Sequence, residues 1–177
     1  RYRISAHTPG GHSWVDAGQP SAIHELIRIA SRMLSWSWPS QPRTTLNIGM
    51  IGGGVSINTI APDAFFEVDL RSEDVNILVD LANKVDSLAR KMRSGKVQIK
   101  VTLVGERLPG EIPLQHPLVV LAGESLSAVG VNPHLNIGST DANVPLSCGY
   151  PAICVGLTTG NGAHTLNETI DIAPLSL

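Results

Sequence analysis

The segment 97–103 alternates without a break: Val97, Ile99, Val101 and Leu103 fall on one side, and Gln98, Lys100 and Thr102 on the other. A period of two sends successive side chains to opposite faces of a strand, so this stretch has one face in a core and one in water. A half-wet strand of this kind belongs to an antiparallel sheet that helices cover on one side only. The same period returns at Leu46, Ile48 and Met50 against Thr45, Asn47 and Gly49, and again at Phe66, Val68 and Leu70 against Phe65, Glu67 and Asp69. These three strands share one core.

Two segments follow the helical period instead. In residues 20–33 and just beyond, Ala22, Ile23, Leu26, Ile27, Ala30, Met33 and Leu34 lie along one stripe, with Pro20 suited to the first turn and Pro39 unable to continue the helix. In residues 75–93, Ile77, Leu78, Leu81, Ala82, Val85, Leu88, Ala89 and Met92 do the same, and Ser94-Gly95 stops the run. With an opening strand at 2–6 the order is β-α-β-β-α-β, a ferredoxin-like split βαβ of the α+β class with an antiparallel sheet and both helices on one face. It makes a complete two-layer domain over residues 1–108. Residues 109–177 read differently. A Pro109-Gly110 joint precedes a helix opened by Pro117, a short strand at 135–137, a helical turn after Asp141 and a strand at 152–155. This is an incomplete α/β segment, with too few strands to close a sheet of its own.

With 42% hydrophobic and 16% charged residues among 177, the chain can bury an ordinary core, which excludes disorder. Thirteen Lys and Arg against fifteen Asp and Glu leave a net charge of -2, so nothing here would hold a nucleic-acid backbone. No apolar run approaches the roughly 20 residues of a membrane span, and Arg1-Tyr2-Arg3 is no secretory leader. A soluble, cytoplasmic chain with no membrane partner is expected. Cys148 and Cys154 are too few for a disulfide framework and are expected as small buried residues in a reducing compartment. A first residue of Arg suggests a processed or excised piece of a longer protein.

Polar residues concentrate in four Gly-rich loops, where rigid scaffolds usually carry function. His7-Thr8-Pro9-Gly10-Gly11-His12-Ser13-Trp14 follows the first strand, and its two histidines could ligate metal, stabilise an oxyanion or do neither. Asn58-Thr59-Ile60-Ala61-Pro62 precedes a strand that ends in Asp69-Leu70-Arg71-Ser72; Asn58 could be a turn former and Arg71 a solvated charge. Gly138-Ser139-Thr140-Asp141-Ala142-Asn143 is a turn into a helix whose N–H groups would suit a carboxylate, although Ser139 or Asp141 could simply cap it. His164, in Gly160-Asn161-Gly162-Ala163-His164-Thr165-Leu166-Asn167-Glu168, fits a metal ligand supported by the carboxylate four residues on. The chain contains no His-x-x-x-His, Cys-x-x-Cys or Glu-Glu pair to complete a zinc site, and neither a serine-hydrolase elbow nor a phosphate loop.

Taken in order, these segments resemble the zinc-dependent M20 metallopeptidases, the clan of aminoacylases, carboxypeptidases, tripeptidases, dipeptidases and related deacylases. Gly10-Gly11-His12-Ser13 with Pro20 resembles the entrance to that family's lid, or dimerisation, domain. Asn58 to Pro62 and Asp69-Leu70-Arg71-Ser72 resemble its lid motifs, and the loops around Ser139 and His164 resemble the last two motifs of its catalytic domain. The resemblance implies a lid at 1–108 and a C-terminal catalytic portion at 109–177. The family's upstream His-x-Asp motif, bridging Asp and Glu-Glu pair have no counterpart here.

By that resemblance the whole enzyme would be a two-zinc amide hydrolase acting on small peptides or N-acyl amino acids, and this chain alone would be inactive. His164 would ligate one zinc. His12 would donate to the oxyanion, commonly across a homodimer formed through the lid. Asn58 and Arg71 would grip the substrate carboxylate, and Gly138, Ser139 and Thr140 would border its pocket. Trp14 departs from the smaller residue common after the His. Two other readings remain open: a dimerisation module without chemistry, and a small-ligand regulatory domain.

Overall fold

The alternating segment at 97–103 forms an edge of a four-stranded antiparallel sheet in a computed structural model that describes residues 1–176. The chain divides into two units, Arg1–Pro109 and Gly110–Leu177. The first contains β1 (Tyr2–His7), β2 (Gly11–His12), α1 (Ala22–Leu34), β3 (Thr44–Gly53), β4 (Thr59–Ile60), β5 (Asp63–Ser72), α2 (Val75–Met92) and β6 (Gln98–Leu103). The strand order β3-β5-β1-β6 is the split βαβ arrangement.

Register explains the core. Ile4 on central β1 lies opposite Phe66 on one side and Val101 on the other, and Ala6 lies between Ala64 and Ile99. These residues point to the face that α1 and α2 cover with Ala22, Leu26, Ile29 and Met33, and with Leu81, Val85, Leu88 and Ala89. Phe66, Ile4 and Met33 have no exposed surface. The other face carries Arg3, Glu67, Asp69 and Arg71, with the Arg3 guanidinium 4.0 Å from the centre of the Phe65 ring.

Two details depart from the sequence expectation. Pro20 precedes the helix instead of sitting in its first turn, since Ser21 is the N-cap. Met50 does not share a face with Leu46 and Ile48: a bulge between Ile48 and Met50 inserts one residue, so Met50 stands opposite Glu67 on the open face. Ahead of β5, the long connection contains β4, which pairs with β2 in a two-residue ribbon.

The second unit contains α3 (Pro117–Ala128), α4 (Asn143–Ser147), β7 (Gly160–Asn161), β8 (Thr169–Ile170) and a 3-10 turn at Ala173–Ser176. The strands expected at 135–137 and 152–155 do not form. A strand exists only where a neighbour accepts its ladder, and the apolar alternation of these short segments supplies no neighbour. Among the described residues of this unit none is buried, α3 included. Cys148 and Cys154 are accordingly exposed, against the expectation of two core residues. Among the described residues no helix is long and apolar enough to cross a membrane.

Candidate functional site

The peptide from β1 to α1 is fastened to the peptide entering β5. Buried Thr8 donates its N–H to the Pro62 carbonyl at 2.8 Å and its hydroxyl to the Ala61 carbonyl at 3.0 Å, while the Ala22 N–H also donates to the Ala61 carbonyl at 2.9 Å. This stitching carries β2 alongside β4, with Gly11 opposite Ile60 and His12 opposite Thr59. Ser13 N–H then donates to the Asn58 carbonyl at 3.0 Å. His12 and Asn58, far apart in sequence, are thereby neighbours on one exposed ribbon. The Asn58 side-chain oxygen accepts the Ser56 hydroxyl at 2.9 Å, which fixes its amide.

Arg71 is elsewhere. The ribbon adjoins the Asp63 end of β5, whereas Arg71 is near the Ser72 end, opposite Thr45, about 26 Å along the strand at roughly 3.3 Å per residue. Its Nε donates to Asp69 Oδ2 at 2.5 Å, and Arg1 Nε donates to Asp69 Oδ1 at 3.1 Å. Partial burial works against charge on Asp69, but the hydrogen bonds and charges of Arg71 and Arg1 outweigh it and hold the carboxyl below its ordinary value. One chain therefore presents the His12–Asn58 pair and the Arg71 fork at opposite ends of its sheet.

In the second unit, the turn at Gly138, Ser139 and Thr140 caps itself. Thr140 N–H donates to Asn143 Oδ1 at 2.7 Å and Ala142 N–H to Thr140 Oγ1 at 3.2 Å, so two of the N–H groups expected to meet a ligand are engaged internally. Thr140 and Asn143 do this, where the sequence suggested Ser139 or Asp141. His164 sits in the loop between β7 and β8 with φ 64, a left-handed conformation that non-glycine residues adopt rarely. Glu168 stabilises it by accepting the His164 backbone N–H at 3.1 Å. The carboxylate thus supports the loop, where the sequence suggested support of the ring. Among the described residues no three His, Cys, Asp or Glu come together to hold a metal ion. The residues of this chain do not fit a closed zinc site; His164 is at most one ligand of it.

The model of the peptidase dimerisation domain matches residues 1–96, more than half the chain. The chain belongs to the M20 peptidase dimerisation family. No curated protein matches its sequence significantly. Among solved structures, the M20 chain is similar to a tripeptidase from Staphylococcus aureus at 23% identity and TM-score 0.71, covering 99% of this chain and 47% of that one. It is similar to aminopeptidase PepT from Bacillus cereus at 22% and 0.66, covering 99% and 48%. A hydantoinase/carbamoylase family amidase from Burkholderia ambifaria follows at 20% and 0.60, covering 82% and 37%. Identity this low speaks for the fold, and this chain spans under half the length of each of these structures.

Asp16 was invisible to sequence reasoning. Its carboxylate accepts the His12 N–H at 2.8 Å and its own N–H donates to the His12 carbonyl at 2.9 Å. An Asp four residues after a His in an irregular loop follows no period that would mark it.

Proposed function

We propose that this chain is the lid and part of the catalytic domain of an M20 hydrolase that cleaves amide bonds in small peptides or N-acyl amino acids. The observation that carries this reading is the β2–β4 ribbon, which holds His12 beside Asn58 on the exposed end of a domain of this family. An exposed imidazole N–H there suits donation to a developing oxyanion, a contribution that can reach about 3 kcal/mol. Zinc is the expected cofactor of the whole enzyme, with His164 one ligand; the chain alone is expected to bind zinc weakly and to be inactive. The Gly138–Thr140 turn would border the substrate.

Arg71 suits a carboxylate as a bidentate fork. Since it lies at the opposite end of the sheet from His12 and Asn58, one active site would draw Arg71 from one chain and the His12–Asn58 pair from its twin. A homodimer is supported by α1, where Ile23, Ile27, Ala30 and Leu34 form a second apolar stripe beside the one in the core, Ile27 being 52% and Leu34 65% exposed. The adjacent β3 is an edge strand of the sheet.

The decisive experiment is subunit complementation in the whole hydrolase, assayed on tripeptides and N-acyl amino acids. His12→Ala and Arg71→Ala should each lose activity about 100-fold, and mixing the two should restore about a quarter of it, because half the dimers then hold one intact site. Mixing without recovery would sink the shared site, and absence of amide hydrolysis in the unaltered enzyme would sink the reading. Replacing Ile27 and Leu34 together by Asp should convert dimer to monomer in light scattering. A module without chemistry is favoured only by the completeness of the first unit's core; dimerisation in an inert whole protein would select it.

A further inference from the structure

The turn after β2 does more than place His12. His12 Nδ1 lies 3.2 Å from the Trp14 N and 3.3 Å from the Val15 N, both backbone donors aimed at it. A backbone N–H can only donate, so Nδ1 must present its lone pair, and a neutral ring then carries its single proton on Nε2. The turn is closed at both ends by Asp16, through the carboxylate on the His12 N–H and the Asp16 N–H on the His12 carbonyl. Gly11 makes room for this: at φ +149, a Cβ on it would fall 2.8 Å from Asp16 Oδ2 and 3.0 Å from Asp16 Cβ. The carboxylate occupies the space a side chain at position 11 would need.

We infer that Asp16 is a positioning residue for His12, and that the turn it closes commits the His12 imidazole to the tautomer protonated at Nε2. His7, five residues earlier, has the reverse arrangement. Its Nδ1 is 2.8 Å from Asp63 Oδ1, and an ionised carboxylate only accepts, so His7 carries a proton on Nδ1. Two exposed histidines, one ending β1 and one in β2, are set to opposite tautomers by their immediate partners. The inference deepens, and for its meaning rests on, the reading of His12 as an oxyanion donor: a neutral ring donates from Nε2 only in this tautomer, and a turn that imposes it in advance leaves no rearrangement for the moment of reaction.

The test needs no catalysis. Long-range proton–nitrogen correlation spectra of the 15N-labelled 177-residue chain at about pH 8.5, where ordinary imidazoles are neutral, report which ring nitrogen holds the proton. His12 should show a protonated Nε2 and bare Nδ1, His7 the opposite, and the exposed His24 the average of a free ring. Asp16→Ala should move the His12 signals to the His24 positions, whereas Asp16→Asn, whose amide oxygen still accepts the His12 N–H, should leave them in place. Gly11→Ala, which evicts the carboxylate by a separate route, should reproduce Asp16→Ala. Unchanged His7 signals certify the fold in each variant. An averaged or Nδ1-protonated His12 in the unaltered chain, or His12 signals indifferent to Asp16→Ala, would overturn the inference. An inactive whole enzyme with these spectra intact would count against the oxyanion role and leave the tautomer assignment standing.

Discussion

Asp69 shows how one residue on the open face couples to pH. It is held between Arg71 and Arg1, and its carboxyl ionises more readily in the folded chain than in the unfolded one. A lowered folded value contributes stability above the unfolded value of about 3.9, and that contribution disappears as pH falls through the folded value. Asp69→Asn should therefore have a lower urea midpoint than the unaltered chain at neutral pH, with the gap closing as pH falls through the folded value. A gap that persisted in acid would assign the loss to packing. Of the residues proposed for the site, His12, Asn58 and Arg71 were singled out from sequence as polar types in Gly-rich or strand-end contexts. That Arg71 stands far from the other two was not, because distance along a strand becomes distance in space only once the neighbours of that strand are known. Asp16 was not legible either, since a turn held by side-chain to backbone bonds leaves no period to read.

Elements with enough residues to express a period were readable to within a residue or two. Helix α2 was expected at 75–93 and runs Val75–Met92, because eight apolar positions at helical spacing leave one solution. Its start is set by Asp74, whose carboxylate accepts the N–H groups of Asn76 at 2.7 Å and Ile77 at 3.2 Å. Asp74→Ala should cost about 1 kcal/mol in denaturant unfolding, and Asp74→Ser, which keeps an acceptor, should recover most of it. Strand β3 extends to Gly53, beyond its alternating part, because β5 supplies a ladder for the glycine-rich end. The two-residue strands β2, β4, β7 and β8 are too short for any alternation to appear, and the apolar runs at 135–137 and 152–155 show the converse: a strand-like pattern without a partner stays irregular.

At the scale of the molecule, the two units differ in what holds them. The first buries Phe66, Ile4, Leu26, Ile29, Met33 and Leu81 in one cluster; the second leaves Leu121, Leu135, Ile137, Tyr150 and Leu157 exposed. A fragment of residues 1–109 should unfold cooperatively, with a midpoint close to that of the first transition of the whole chain. A fragment of residues 110–177 should bind a hydrophobic dye and melt without a cooperative step. The ribbon that bears His12 introduces a third regime. Its base is anchored by buried Thr8 to the Ala61 and Pro62 carbonyls, but its tip is held by exposed contacts alone and opens more readily than the sheet. Hydrogen exchange at Ser13 and Thr59 should thus run orders of magnitude ahead of Ile4 and Phe66, the closed sheet serving as the fixed footing from which the His12 turn is displayed.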